Sequence, residues 1–173
     1  PHALFLEALN AIVALDINWI PTEEGSALYV RPTMFATESS LAVTPSDTYT
    51  FYIYTGPVQP YFTTPIKLVT EQKLIRAVPG GTSEAKTGGN YAGSLKASQL
   101  AKQRGFDQII WLESPEFNKI QEAGMMNLFF MIGDTVLTPK LTGAVLNGTT
   151  RNYFLDILKE KDTVVFETVK LVQ

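Results

Sequence analysis

The sequence of 173 residues has no cysteine and a single histidine, His2. The lack of cysteine excludes a disulfide framework, a thiolate nucleophile and cysteine-ligated zinc or iron–sulfur clusters. One histidine next to the first residue argues against a Ser-His-Asp triad and against a multi-histidine metal site. We therefore predict no metal site, and an enzyme of this composition would use lysine, tyrosine, arginine, carboxylates, hydroxyls or a bound cofactor.

The sequence also lacks a strong charge imbalance and a long apolar run. Lys and Arg number 14 against 17 Asp and Glu, which gives a net charge of −3 with no dense basic cluster. The most apolar stretch, residues 3–20, contains Glu7, Asn10 and Asp16, and it has no basic start or small-residue cleavage site. We predict a cytoplasmic protein that binds neither nucleic acid nor membranes.

The patterns that are present predict a mixed α/β (α+β) fold. Hydrophobic spacing predicts a helix over residues 3–17, and aromatic and β-branched runs predict strands over 27–36 and 48–56. Three prolines and a glycine in residues 56–65 predict a stiff linker. The elements predicted after it are a strand or hairpin ending at Arg76, a helix at about 91–104 with Leu95 and Leu100 on its apolar side, a strand over 106–114, two strands turned at Gly133-Asp134, a helix from Thr149 and a strand over 163–172.

Lys86 lies between the glycine pairs at 80–81 and 88–89. A phosphate-binding loop needs glycine directly before the lysine, and Ala85 in that place argues against one. A buried amine kept neutral by desolvation can instead attack an aldehyde carbon and form a Schiff base, and the glycines would admit a flat cofactor. A solvated surface lysine fits the residues equally well, so the residues alone leave both alternatives open.

Six segments resemble, in the same order, segments of the branched-chain amino acid aminotransferases, which are fold-type IV pyridoxal-phosphate enzymes. The segment KTGGNY, residues 86–91, resembles their cofactor-lysine segment. The other five resemble the active-site strand, the interdomain linker, a core strand, the cofactor-nitrogen segment and the phosphate-binding turn; they are LYVRPTMFATE (28–38), GPVQPYF (56–62), DQIIWLE (107–113), IQEAGMMNLFF (120–130) and LTGAVLNGTTR (141–151).

The resemblance assigns the cofactor-binding residues. It implies that Lys86 forms a Schiff base with pyridoxal phosphate and then moves a proton between substrate and cofactor. It places Glu122 beside the pyridine nitrogen, where a carboxylate keeps the ring protonated, and Tyr91 at the phenolate oxygen. Thr149 and Thr150 would bind the phosphate at a helix N-terminus, which suits an anion. Each residue taken alone would be interpreted as an ordinary solvated, core or capping side chain.

The resemblance also assigns the substrate-binding residues. Tyr29 and Arg31 share one face of a predicted strand, and the family places this pair near the substrate carboxylate, which a guanidinium binds well. Met125 stands in the pocket wall where many relatives have threonine, and an apolar wall still suits leucine, isoleucine or valine. Arg76 is a weaker candidate, one shell further from the substrate.

By the resemblance, residues 1–56 are the C-terminal part of the small domain, 57–65 the interdomain linker and 66–173 the first part of the large domain. The family supplies a phosphate-binding arginine from a segment upstream of these residues, and a Thr-Gly-Thr-Ala-type turn from beyond Gln173. We therefore expect a fragment that lacks both ends and has little or no activity by itself.

The implied function is transfer of the amino group between branched-chain L-amino acids and 2-oxoglutarate, in a homodimer or higher homo-oligomer. A D-amino acid aminotransferase or an aminodeoxychorismate lyase of the same fold is the nearest alternative. The Tyr-Val-Arg-Pro-Thr strand and EAGMMN favour the branched-chain type. A non-catalytic interaction module, or a fragment inactive as it stands, also stays open.

Overall fold

The computed structural model describes residues 2–161 and the backbone of 164–166. Close Cα approaches divide the chain into two compact units, residues 1–64 and 65–173. The mixture of helices and strands agrees with the predicted α/β (α+β) class. In the part of the chain that is described, no helix has the length and apolar character needed to cross a bilayer.

The first unit is a helix followed by a two-stranded antiparallel ribbon. Its elements are α1 (His2–Leu15), a short 3-10 helix (Ile17–Trp19), β1 (Ala27–Ala36) and β2 (Tyr49–Val58). The register runs from Ala27 opposite Val58 to Ala36 opposite Tyr49. Both strands are edges of a two-stranded sheet, a position in which proline such as Pro32 is tolerated. The bounds predicted for β1, residues 27–36, are confirmed.

Strand β2 is longer than the sequence predicted. It continues through Pro57 and Val58, which pair with Leu28 and Ala27, so the first two residues of the predicted 57–65 linker belong to a strand. Proline is tolerated here because an edge strand leaves one row of N–H groups unpaired. The division between the two units follows Thr64.

The second unit contains two three-stranded sheets and three helices among its described residues. The elements of the first half are β3 (Leu68–Glu71), α2 (Gly88–Ala92), α3 (Leu95–Gln103), β4 (Gln108–Leu112) and β5 (Ile120–Ala123). Those of the second half are β6 (Phe130–Ile132), β7 (Thr135–Leu137), α4 (Thr149–Glu160) and β8 (Val164–Phe166). The sheet orders are β3-β4-β5 and β6-β7-β8, and each sheet has one parallel and one antiparallel pair.

Strand β3 ends earlier than predicted, at Glu71 rather than near Arg76. The Glu71 carboxylate accepts hydrogen bonds from the N–H groups of Lys73 (2.7 Å) and Leu74 (3.0 Å). This local cap turns the chain out of the strand. Arg76 consequently lies in the irregular segment between β3 and α2, which brings it to the site described below.

The helix predicted at 91–104 is two helices, and its buried face was predicted incorrectly. Ala97 and Ala101 are buried, whereas Leu95 and Leu100 are 67% and 44% exposed. The two alanines are one turn apart and pack with Ile109 and Trp111 in a core cluster. Small side chains let the helix backbone lie close to the sheet, which the hydrophobic spacing alone did not indicate.

Three of the remaining predictions are settled by the second unit. Strand 106–114 is confirmed as β4, and the helix from Thr149 is confirmed as α4. The segment predicted as two strands holds three, because β5 precedes the β6–β7 hairpin at Gly133-Asp134. Of the strand predicted over 163–172, residues 164–166 form β8, and the rest lies outside the described residues.

The contact between α3 and the sheet predicts a position-specific stability effect. Ala97→Leu adds volume at a position that is 1% exposed, so we expect it to lower the free energy of unfolding by about 1–3 kcal/mol through overpacking. Gln99→Leu, on the exposed side of the same helix, should change it by less than about 0.5 kcal/mol. Urea unfolding of the full-length protein measures both, and equal effects would contradict this packing.

Candidate active site

The segment that carries Lys86 is held in place by the side chain of Asn90. The Asn90 amide donates to the carbonyl of Thr82 (2.8 Å) and to that of Ala85 (2.9 Å). The Thr82 hydroxyl donates in turn to the Asn90 side-chain oxygen (2.7 Å). These three bonds fold the loop back onto the start of α2 and fix the backbone directly before Lys86. Sequence reasoning gave Asn90 no role, although it lies inside the KTGGNY segment.

Lys86 and Tyr91 are neighbours across the start of α2. The Lys86 Nζ lies 5.1 Å from the centre of the Tyr91 ring. Lys86 is exposed and Tyr91 is half-buried. The Lys86 amine is therefore accessible in this structure. The buried amine that the Schiff-base interpretation expects would require a bound cofactor to cover Lys86.

Glu122 is buried on β5, with 4% of its surface exposed, so a solvated surface role is excluded. One carboxylate oxygen pairs with Arg76 Nη2 at 2.9 Å. The other accepts a hydrogen bond from the backbone N–H of Leu146 at 3.2 Å. The same Arg76 nitrogen donates to the carbonyl of Ala144 at 2.8 Å. Arg76 and Glu122 thus join β5 to the segment that precedes α4.

Burial raises the pKa of Glu122 above the ordinary value of a glutamate. The charge of Arg76, the N–H of Leu146 and the charge of Lys86 all lower this pKa without fully offsetting the burial. Among these three influences that of Lys86 is the smallest.

The segment before α4 ends in an open helix N-terminus. Gly148 is the residue before the first helical turn and has no side chain with which to cap it. The Asn127 amide donates to the carbonyl of Leu146 at 3.0 Å, and a Cβ at Gly148 would overlap the Asn127 side-chain oxygen. Thr149 and Thr150 form the exposed first residues of the helix. N–H groups of a first helical turn have no partner within the helix and favour an anion.

Six of the eight predicted site residues line two cavities in the second unit. A cleft with a volume of about 820 Å³ is lined by Lys86, Met125, Thr149 and Thr150 among others. A second cavity of about 10 Å³, room for one water molecule, is lined by Tyr91, Glu122 and Met125 together with Arg76. Met125 and Leu146 line both cavities, so the two are adjacent.

The remaining two predicted residues, Tyr29 and Arg31, lie on β1 of the first unit. The Arg31 guanidinium donates a hydrogen bond to the Tyr29 hydroxyl. Its central carbon lies 4.9 Å from the centre of the Tyr29 ring. The pair therefore shares one strand face, as predicted. No cluster of three or more His, Asp or Glu side chains suited to a metal occurs among residues 2–161.

Comparison with known proteins identifies the family of the chain. Residues 8–171 match the family of class IV aminotransferases. Branched-chain-amino-acid aminotransferase 2 of Bacillus subtilis is 47% identical over 157 residues, which cover 89% of this chain and 43% of that protein. The chain thus spans less than half the length of the curated relatives it matches.

Solved structures agree with the fold. The branched-chain amino acid aminotransferase of Escherichia coli superposes with a TM-score of 0.77 at 24% identity, over 97% of this chain and 55% of that one. An aminotransferase of Brucella abortus bound to the cofactor PLP superposes with a TM-score of 0.76 at 24% identity, over 94% and 59%. These likenesses show the fold-type IV architecture. Together with the family match over most of the sequence, they establish that this chain belongs to the class IV aminotransferase family.

Proposed function

We propose that the protein uses pyridoxal phosphate to transfer the amino group between branched-chain L-amino acids (leucine, isoleucine, valine) and 2-oxoglutarate. The observation that carries this proposal is the buried Glu122 carboxylate in a cavity adjacent to the cleft that Lys86 lines. A carboxylate at low exposure and a nearby accessible amine are the two groups that a pyridoxal ring needs at its opposite ends. The named branched-chain relatives support the same reaction.

The residues present fit pyridoxal phosphate. Lys86 offers a primary amine at the mouth of the cleft, and Tyr91 lies beside it. Glu122 uses each of its oxygens once, in bonds to Arg76 and Leu146, and a carboxylate can accept about four hydrogen bonds. It therefore keeps capacity for a protonated ring nitrogen. Thr149 and Thr150 begin a helix whose N-terminus opens on the same cleft, and we propose that they hold the phosphate.

Bound pyridoxal phosphate supplies an electron sink for the negative charge that develops at the substrate α-carbon. In our proposal Lys86 would hold the cofactor through its amine, and the free Lys86 amine would accept and return the proton of that carbon. The Glu122 carboxylate would keep a proton on the ring nitrogen, and the Tyr91 hydroxyl would bind the phenolate oxygen. Each of these tasks belongs to a group that lines one of the two adjacent cavities.

Two features support the proposed substrate specificity: the apolar wall of the cleft, and the Tyr29–Arg31 pair on β1. Apolar side chains supply much of the wall; they include Met125, Met126, Phe129, Phe154 and Ile157. Phe129 and Phe154 pack edge to face with ring centres 4.8 Å apart, which gives a rigid apolar surface suited to a branched aliphatic side chain. We propose that Tyr29 and Arg31 bind the substrate carboxylate.

We also propose the domain organisation, assembly and compartment that the family resemblance implies. Residues 1–56 would belong to the small domain, 57–65 to the linker and 66–173 to the large domain. The two compact units, which divide after Thr64, support this organisation. A homodimer or higher homo-oligomer in the cytoplasm is part of the same proposal.

Reductive trapping tests the covalent anchor. We expect borohydride treatment of the full-length protein with pyridoxal phosphate to link the cofactor to Lys86, as mapped by peptide mass spectrometry. Lys86→Arg should abolish this label, while Lys102→Arg, at the exposed end of α3, should retain it. A wild-type protein without label on Lys86 would overturn the proposed cofactor chemistry.

Gly148→Ala tests the helix N-terminus as the phosphate site. The new methyl group would displace the Asn127 side chain and break its hydrogen bond to Leu146. Because that bond fixes the backbone leading to the helix N-terminus, we expect its loss to weaken the affinity for pyridoxal phosphate roughly three- to tenfold. In an Asn127→Ala background, where that bond is already absent, the same change should have little further effect. Absorbance titration measures the affinities, and an unchanged affinity in Gly148→Ala would contradict this placement of the phosphate.

Substrate choice separates the branched-chain assignment from its nearest alternatives. With 2-oxoglutarate as acceptor, we expect the full-length protein to consume L-leucine at least about tenfold faster than D-alanine, since a stereochemical mismatch removes polar contacts worth a few kcal/mol. Chromatographic measurement of glutamate formation gives both rates. Preference for D-alanine would favour a D-amino acid aminotransferase, and pyruvate release from aminodeoxychorismate without glutamate formation would favour a lyase.

A further inference from the structure

Arg76 is placed unusually deep for a charged residue. Its side chain is 8% exposed and that of Glu122 is 5% exposed. Both lie beside the small cavity next to the cleft. Arginine carries its charge at all accessible pH values, so the positive charge next to Glu122 is permanent. The charge of Lys86, by contrast, depends on what its amine is bonded to.

Stability alone does not account for this pair. Burying two charges costs desolvation free energy that their mutual attraction repays only in part, and apolar pairs of similar volume are often as stable. The Arg76 Nε also has no hydrogen-bond partner within the described part of the chain. A buried donor left unpaired is a further cost. An ion pair maintained at such costs, beside a reaction site, suggests a role in the chemistry.

We propose that Arg76 is a positioning residue that holds the Glu122 carboxylate ionised and oriented for the cofactor ring nitrogen, and that fixes the segment leading to the phosphate-binding helix. The inference rests on the proposed function. Its geometric basis is a single guanidinium nitrogen that contacts Glu122 Oε1 at 2.9 Å and the Ala144 carbonyl at 2.8 Å. Glu122 Oε2 is held from the same segment by the Leu146 N–H at 3.2 Å.

The electrostatic environment of Glu122 agrees with this role. Burial raises the pKa of Glu122, and Arg76 is the largest influence that lowers it, followed by the Leu146 N–H and the Lys86 charge. Removing Arg76 would therefore raise this pKa further. At neutral pH the carboxyl group would then be more often protonated, and a neutral carboxyl cannot keep a proton on the ring nitrogen.

The test compares four variants in the full-length protein: Arg76→Met, Arg76→Lys, Glu122→Gln and the double variant Arg76→Met/Glu122→Gln. Arg104→Met is the matched control, because Arg104 is exposed and contacts Phe106 (5.4 Å from its ring centre) rather than Glu122. Affinity for pyridoxal phosphate is measured by absorbance titration as a function of pH on both sides of neutrality, because removal of Arg76 should raise the pKa of Glu122. Circular dichroism and thermal unfolding report folding separately.

We expect Arg76→Met to weaken the affinity at least about tenfold at neutral pH. The affinity should recover as the pH rises, because Glu122 ionises above its raised pKa. Arg76→Lys should restore part of the affinity and the wild-type pH profile. In the Glu122→Gln background, Arg76→Met should add little, since its partner charge is already gone. Arg104→Met should match wild type.

Two results would overturn the inference. One is a lower unfolding temperature for Arg76→Met with an unchanged affinity and pH profile, which is the signature of a purely structural role. The other is an additive loss in the double variant, which would show that Arg76 does not act through Glu122. The double variant buries no unpaired charge, so it keeps the comparison possible even if Arg76→Met folds poorly. Absence of a borohydride label on wild-type Lys86 would instead overturn the proposed function. That outcome is distinguishable from the two results that would overturn the role of Arg76.

Discussion

The ion pair between Arg76 and Glu122 is the interaction on which the rest of the site depends. Its two residues come from the irregular segment after β3 and from β5, and its hydrogen bonds reach Ala144 and Leu146 ahead of α4. Three parts of the chain that are far apart in sequence are thereby fixed with respect to one another. The ring-nitrogen and phosphate subsites that we propose are thus mechanically linked through one guanidinium group.

Two asparagines complete the framework with bonds to the backbone. Asn90 binds the loop before Lys86, and Asn127 binds the segment before α4. Neither needs to touch a substrate to matter, because a misplaced loop would move the Lys86 amine or the open helix N-terminus. The site is therefore organised by polar side chains that bind main-chain groups, while its apolar wall is supplied by residues such as Phe129 and Phe154.

Sequence patterns predicted much of this arrangement where the signal is local. Strand β1, strand β4 and the start of α4 follow from residue type and spacing, and the segment order indicated the family. The patterns failed where contacts between residues distant in sequence determine which side chains are buried. Ala97 and Ala101, not the more hydrophobic Leu95 and Leu100, are buried against Ile109 and Trp111 of β4. The sequence patterns also did not predict the burial of Glu122, since its ion-pair partner Arg76 lies 46 residues earlier in the sequence.

The central claim is that Glu122, held by Arg76, keeps a proton on the cofactor ring. Nitrogen-15 NMR of the full-length protein loaded with pyridoxal phosphate labelled at the ring nitrogen reads that protonation state directly. We predict the chemical shift of a protonated pyridinium in the wild-type protein at neutral pH, and a shift toward the neutral pyridine in Arg76→Met. A neutral ring nitrogen in the wild-type protein would contradict the account.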